Sequence, residues 1–377
     1  VTNKHRAVAV ATAAVVLLAA GIFVSFRLVI AAVDRSIPQA DLFGVSLVDP
    51  TTGAPLPTND PTPTVPEGSD ITGPLNILIL GEDTRAEAPG WVPHSDADMV
   101  MHVSADLTHA WIASLPRDLV VDYPAFPPSG SGAGRGKLTD TMAFGSRLPN
   151  NPGTYSPAQG SALVAQAISG YTGIDHFDAA ALVSFIGLAK LVDVLDGIDL
   201  YVDTYVQSIH MRPEGYEREW CPSCEHLYTG PQATYNVGLQ HMAGWQVLDY
   251  SRQRYGLPAG AYDRERHQRQ AVKAIMNKIV TYDPWAHPFV APWVVSAVGQ
   301  ALTLDLRGHT ISAFAYALRN LKPENVTLVS LPGSGVTSGG SYIGEALAPI
   351  HDAYFAAARN DTVGEFLASN PTLVHAG

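Results

Sequence analysis

The sequence predicts an α/β domain whose sheet is covered by helices on both faces, preceded by one N-terminal transmembrane helix. Three observations lead there: a 20-residue uncharged run from Ala7 to Phe26, a proline-rich stretch after it, and, from Leu75 onward, short apolar runs alternating with segments of helical periodicity. With 377 residues, 46% of them apolar and 15% charged, the chain has ample material for a core and is not a disordered polymer. Its net charge of −12 disfavours a protein that coats nucleic acid, because neutralising phosphates needs a surplus of Lys and Arg. A membrane anchor and that charge also disfavour a transcriptional regulator.

The elements follow in chain order. Twenty helical residues span about 30 Å, the hydrocarbon thickness of a bilayer. Lys4, His5 and Arg6 precede the uncharged run, while Arg27, Asp34 and Arg35 follow it. The expected arrangement is a cytoplasmic segment at 1–6, an anchor at 7–33, and everything later outside the cytoplasm at the cell membrane. A cleaved signal peptide is the alternative, with Ala31-Ala32-Val33 as a poor cleavage site. Eight prolines between Ser36 and Pro74 mark 34–74 as an extended linker, in which Leu42–Val48 has the composition to pair as an edge strand. Residues 75–377 read as one folded α/β domain, with no break rich enough in Pro or Gly to demand a second. Buried strands are expected at Leu75–Leu80, Met99–Val103, Trp111–Leu115, Ile198–Val202 and Val326–Leu331. Helices are expected at Ala162–Ser169, Ala179–Leu195, Arg264–Val280, Trp293–Leu302, Ile311–Leu318 and Ile350–Ala358. The glycine-rich run Pro332–Gly340 reads as a solvent loop. The Ala- and Pro-rich composition suggests a high-GC, actinobacterial source.

Several familiar catalytic signatures are missing: there is no GxxxxGK[ST] loop, GxGxxG turn, GxSxG elbow or HExxH pair. Charged residues instead gather at predicted strand ends, at Gly81–Arg85, His94–Asp98 and Pro116–Asp118. Ligand sites of open α/β sheets collect there. Carboxylates such as Asp83 and Asp96 suit a hard cation such as Mg²⁺, and arginine forks suit phosphate oxygens. Five arginines fall between Ser251 and Gln270 (Arg252, Arg254, Arg264, Arg266 and Arg269) against Asp263 and Glu265, so that window carries +3 and the rest of the chain −15. Together these parts suggest phosphoryl transfer, which depends on positioning and charge neutralisation. Each has a plainer reading: an Asp after a strand is commonly a turn residue, Arg252 and Arg254 suit a solvated helix end, and Arg264, Arg266 and Arg269 suit an ordinary polar helix face. Cys221-Pro-Ser-Cys224 has no second CxxC to complete a zinc site, and a local structural disulfide suits an oxidising exterior better.

In order along the chain, Asn76–Arg85 resembles the NILLLGxDxR opening of the LytR-CpsA-Psr family of envelope phosphotransferases, and His94-Ser95-Asp96 with Met99–His102 resembles its RSDxxMxxH segment. Ser114–Asp118 is similar to SxPRD, Lys137–Gly145 to KINxAYxxGG, Gly244–Arg254 to GxxALxYxRxR, and Asp263–Gln268 to the RxxRQ helix. The similarity runs from about Leu75 to Ile279 and implies a mixed central β-sheet flanked by helices in an α-β-α arrangement. It further implies a transferase moving a glycopolymer from a polyprenyl-pyrophosphate carrier onto peptidoglycan through a phosphodiester link, with Mg²⁺ as cofactor and a polyprenyl-pyrophosphate phosphohydrolase side activity.

Carried over by position, Asp83 and Asp96 hold Mg²⁺. Arg117, Arg252, Arg254 and Arg264 grip the pyrophosphate and stabilise transition-state charge, Gln268 orients the head group, and Arg85 and Lys137 assist. Asp83 is at the same time a candidate general base. Helices at Ala179–Leu195 and Trp293–Leu302 are candidates to line an apolar groove for the prenyl chain, with core packing as their plainer reading. The sequence departs from the family pattern at four places. His94 and His267 stand where arginines are usual, with Arg266 and Arg269 as possible substitutes for the latter. Ala261 replaces an acid for which Asp263 or Asp98 is the candidate stand-in, and Ser146 replaces a glycine. Those departures suggest the alternative of a catalytically weak polyprenyl-pyrophosphate-binding scaffold in wall assembly.

Overall fold

The computed structural model describes residues 37–44, 68–83, 90–281 and 302–375. The expected anchor, Arg85, most of the linker and the predicted helix at Trp293–Leu302 (apart from Leu302 itself) lie outside the described residues. Within them, no helix is long and apolar enough to cross a membrane.

Seven strands build the central sheet: β1 (Leu75–Glu82), β2 (Ser95–Val103), β3 (Ala110–Leu115), β4 (Ala179–Ser184), β5 (Leu302–Asp305), β6 (Val326–Val329) and β7 (Val374–His375). Their spatial order is β5-β4-β1-β2-β3-β6-β7. β1 with β4 and β3 with β6 run parallel, and the other neighbours antiparallel, so the sheet is mixed. The inner strands read as continuous apolar runs because both of their faces are covered. Along β1, Leu78 and Leu80 face one core while Ile77 and Ile79 face the other.

The first face is covered by α1 (Leu138–Gly145), α2 (Pro157–Thr172), α7 (Ile350–Arg359) and α8 (Val363–Ser369), which bring Met142, Ile168, Phe355 and Leu367 onto Leu80, Val100 and Leu115. The second is covered by α6 (Ile311–Ala317) and part of α5 (Ala261–Thr281). A third apolar cluster lies under α3 (Phe185–Val194), α4 (Gly244–Tyr250), α5 and the hairpin pairing Ile198–Val202 with Gly238–Met242. Local signals fix the helix ends. Ser156 caps α2 by accepting from the Gln159 backbone N–H, Pro157 opens it, and Gly173 closes it in the left-handed conformation. Gly244 lets α4 approach α3, since a Cβ there would lie 1.9 Å from the Ala189 carbonyl oxygen.

Two expectations are corrected. Ala179–Leu195 is a strand followed by a helix: Ala179–Ser184 pairs with β1 on one side and β5 on the other, and the Ser184 side chain accepts from Gly187 N–H to start α3. A buried strand feeding straight into a helix leaves an unbroken apolar run, which periodicity cannot divide. Pro332–Gly340 is largely a β-strand, Gly333–Ser338, paired with Ser341–Leu347 across a turn at Gly339 and Gly340 with φ of +57° and +82°. Two consecutive left-handed residues make a tight hairpin turn where glycine alone is unstrained. Of the expected edge strand at Leu42–Val48, the described part consists of buried Leu42 and Phe43, with an isolated bridge from Gln39 to Leu304 just before it.

Candidate active site

Sheet register assembles the first half of the site. In the β1–β2 ladder Glu82 lies opposite Ser95 and Leu80 opposite Asp98, and in the β2–β3 ladder Asp98 lies opposite Leu115. Asp83, Asp96 and Arg117 therefore share one end of the sheet. Gly81 keeps that end compact: a Cβ there would lie 2.7 Å from the Phe185 ring and 2.9 Å from Ala97 Cβ. Arg117 pairs through Nη1 with Asp96 Oδ1 and lies, through Nε, 3.6 Å from Asp118. Lys137 reaches the same Asp118 at 3.5 Å.

The second half arrives from α4 and α5. Between Arg252 and Arg254, Gln253 turns inward and is 1% exposed. Its side-chain amide donates to Asp249 Oδ1 at 2.6 Å, and its Oε1 accepts from Ile209 N–H at 3.0 Å. Asp249 also accepts from the Ser208 and Tyr235 hydroxyls at 2.9 and 2.7 Å. Burial pushes the Asp249 carboxyl above its ordinary pKa, and those hydrogen bonds oppose the shift. With Gln253 fixed inside, its two arginine neighbours stay accessible, and Arg252 comes within 3.6 Å of Asp83. Arg264, in the first turn of α5, is 6% exposed. It interacts electrostatically with Asp96, Arg117, Glu265 and Arg254, while burial holds its pKa below the usual arginine value. Its Nε is buried without a hydrogen-bond partner among the described residues. Such a donor calls for an acceptor from outside the chain. One turn on, Gln268 donates to the Asp96 carbonyl at 3.3 Å.

Asp83, Asp96, Arg117, Lys137, Arg252, Arg254, Arg264 and Gln268 thus form one connected constellation. Sequence reasoning missed Gln253 and Asp249, which hold two of these arginines; the only signal was one uncharged residue between two charged ones. Gln253→Ala is expected to lower turnover by about 10- to 100-fold, because displacing catalytic groups by about 1 Å costs that much, and to cost about 1–3 kcal/mol of stability by leaving the buried Ile209 N–H without its acceptor. Steady-state transfer kinetics beside thermal melting checks this.

The residues fit a Mg²⁺ that draws most of its shell from phosphate oxygens and water. Asp83 and Asp96 offer hard carboxylate oxygens, and Oδ2 of neighbouring Asp98 is buried without a hydrogen-bond partner. Among the described residues, no group of three or more His, Cys, Asp or Glu makes a protein-only cage, and Mg²⁺ commonly binds through one or two carboxylates plus substrate phosphates. Burial raises the Asp98 pKa to about 7 against the Ser95 hydrogen bond.

A model of the LytR_cpsA_psr family matches residues 54–359. The chain belongs to that family. It is 26% identical over 309 residues to the cell wall biosynthesis protein LcpA of Corynebacterium glutamicum, covering 76% of this chain and 55% of that protein. It is also 26% identical over 210 residues to the polyisoprenyl-teichoic acid–peptidoglycan teichoic acid transferase TagU of Enterococcus faecalis, covering 55% and 54% of the two chains. The chain thus spans about half the length of these curated relatives. The fold resembles protein gbs0355 from Streptococcus agalactiae with a TM-score of 0.57 and 21% identity, over 77% of this chain and 88% of that one.

Departures from the LytR-CpsA-Psr pattern now have locations. His267 is fully buried, with its ring 4.1 Å from that of Tyr250, and burial lowers its pKa to about 4, so it is neutral and supplies no phosphate contact. Arg266 and Arg269 do not substitute for it. Arg266 is held by Asp203 and Asp263, and buried Arg269 donates to Ser330 Oγ beside Glu265. Asp263 is not free to stand in for the acid missing at Ala261, because it caps the Ala259 N–H and pairs with Arg266. His94 donates through Nδ1 to the Val92 carbonyl at 2.9 Å, while its own carbonyl accepts from Asp83 N–H. Ser146 is buried and donates to the Met142 carbonyl at the end of α1. Within Ala179–Leu195, Leu191 and Val192 follow the plainer reading of core packing and lie in the third core cluster. Cys221 and Cys224 are joined by a disulfide, with Cα atoms 5.3 Å apart.

Proposed function

We propose that this LytR-CpsA-Psr chain is a membrane-anchored phosphotransferase that moves a glycopolymer from a polyprenyl-pyrophosphate carrier onto peptidoglycan, forming a phosphodiester link. The carrying observation is the convergence of Arg117, Arg252, Arg254 and Arg264 with Asp83 and Asp96 at one end of the sheet. Four guanidinium groups around two carboxylates suit a pyrophosphate, whose negative charge must be neutralised as the bond to the leaving phosphate stretches. TagU, named for a polyisoprenyl-linked donor and a peptidoglycan acceptor, and LcpA, named for cell wall biosynthesis, support the choice of substrates.

In this reading the acceptor hydroxyl of peptidoglycan attacks the sugar-linked phosphorus. The phosphoanhydride bond breaks, polyprenyl phosphate leaves, and Asp83 takes the hydroxyl proton. Arg252 and Arg254 hold the oxygens of the transferred, sugar-linked phosphate, Arg117 and Arg264 hold those of the leaving phosphate, and Gln268 and Lys137 orient the head group. Arg85, two residues beyond Asp83, assists. Mg²⁺ held at Asp96 would supply further neutralisation of the pyrophosphate and leave Asp83 free as the base; with Asp83 also on the metal, the proton would pass to another acceptor. The uncharged run at Ala7–Phe26 tethers the domain to the outer face of the cell membrane, where carrier and acceptor meet.

Purified protein given polyprenyl pyrophosphate is expected to release phosphate over many turnovers with Mg²⁺, a water standing in for the acceptor, and to stop when the cation is chelated. Binding without turnover would instead identify a lipid-binding scaffold.

A further inference from the structure

A segment outside the motifs builds the opposite wall of the site. Between the hairpin strand ending at Val202 and α4, the chain forms an excursion in which Glu219–Trp220 pairs antiparallel with Tyr228–Thr229, closed by the Cys221–Cys224 disulfide. Trp220 lies directly opposite Tyr228, with ring centroids 5.5 Å apart edge to face. His210 lies 5.2 Å from the same Tyr228 ring. His226 stacks obliquely at 4.6 Å on Tyr255, whose hydroxyl accepts from Arg254 at 2.7 Å. Together with Arg252 and Arg254 these aromatic side chains line one cavity of about 470 Å³, within the roughly 300–1,000 Å³ range of small-molecule sites.

Two further observations mark this cavity as a binding site. Trp220 is 61% exposed and Tyr255 45%, so large aromatic faces stand in water without a protein cover among the described residues. At its rim His226 and Leu227 adopt φ of +56° and +67°. Non-glycine residues in that region store strain, and such strain concentrates at ligand clamps.

We propose that this disulfide-closed aromatic flap is a saccharide subsite that receives the donor sugar attached to the pyrophosphate. A sugar ring has apolar C–H faces and a polar rim. It is matched by aromatic faces whose edges carry Tyr hydroxyl, indole N–H, imidazole and guanidinium groups. A prenyl chain is a poor match, because it would strip water from those polar edges without replacing their hydrogen bonds. Commitment to the donor comes from Arg252 and Arg254: the side chains assigned to the pyrophosphate also line the cavity, so the ligand there must be contiguous with it. The inference rests on the phosphotransferase reading and deepens it by giving this chain its own contact to the sugar.

The test uses the full chain and two soluble probes, geranyl pyrophosphate and its N-acetylglucosaminyl ester, in equilibrium binding. Wild type is expected to bind the sugar-bearing probe about tenfold more tightly, the size of one or two aromatic stacking contacts. Trp220→Ala/Tyr228→Ala is expected to remove that increment and leave the bare probe bound within about twofold. Trp220→Phe, which keeps a ring face, should retain most of it and serves as the folding control. Equal binding of both probes by wild type, or equal weakening of both by the double alanine variant, overturns the subsite while leaving the phosphotransferase reading intact. Preferential binding of a muramic-acid disaccharide that is lost with Trp220 reassigns the flap to the acceptor and overturns the proposal. Failure of wild type to bind either probe overturns both readings.

Discussion

Arg252→Ala/Arg254→Ala is expected to lower the rate of transfer from a polyprenyl-pyrophosphate donor by about 10³-fold or more, with the fold intact. Removing a single preorganised donor to developing negative charge costs about 10²–10³ in turnover, and here two are lost from one wall of the site. Arg252 is 39% exposed and Arg254 is exposed, so neither supports the core, and the melting temperature should stay within a few degrees. The inward residue between them, Gln253, keeps its bonds to Asp249 and Ile209 in the double variant. Lysines at both positions should recover part of the rate and little of the geometry, since an ammonium offers a point charge where a guanidinium offers a planar fork. Single-turnover kinetics with labelled donor separates this loss from weaker binding. A double alanine variant within tenfold of wild type would remove these arginines from the phosphate site.

The apolar part of the fold was legible because burial there is written as hydrophobicity. Continuous runs in β1, β2 and β3 announced strands covered on both faces, and the charged residues just beyond them marked the end of the sheet where the site lies. Two kinds of feature were not legible. Ala179–Leu195 concealed a strand-to-helix junction because both halves are apolar and the capping signal is a single serine. The start of α5 concealed its burial for the opposite reason: Asp263, Arg264, Glu265, His267, Gln268, Arg269 and Gln270 are all buried, and none is apolar. A polar helix face normally faces water. This one is enclosed because its charges find partners within it and in Asp203, Asp96 and Ser330.

That burial also changes the meaning of the +3 window between Ser251 and Gln270. Arg266 is balanced by Asp203 and Asp263, and Arg269 by Glu265, so these two arginines do not face a ligand. The positive charge left for the site belongs to Arg252, Arg254 and Arg264, joined by Arg117 from the turn just after β3. Their concentration in an otherwise acidic chain gives an anionic substrate one favourable place to dock.

Beneath the site, Arg269→Met is expected to destabilise the protein by about 3–5 kcal/mol at pH 8, the cost of leaving a buried charge without its partner. At pH 5 the loss should be much smaller. The sign follows from Glu265, whose carboxyl burial raises from 4.5 to about 7, with Arg269 the largest opposing influence. Between those values the folded chain keeps a proton that the unfolded chain has released, so this group's contribution to stability falls as pH rises from about 4.5 to about 7. Without Arg269 the folded pKa moves higher and the decline extends further, so the gap between variant and wild type widens with pH. His267 works in the opposite direction: it stays neutral in the fold down to about pH 4, so acidification below 6.5 costs stability, but equally in both proteins. Adding Glu265→Gln should restore most of the loss at pH 8, because no unpaired carboxylate remains. Urea unfolding of wild type, single and double variants at pH 5, 7 and 8 checks all three expectations. A destabilisation by Arg269→Met that is the same at every pH would show that the guanidinium acts by filling space beside Ser330 rather than by balancing Glu265.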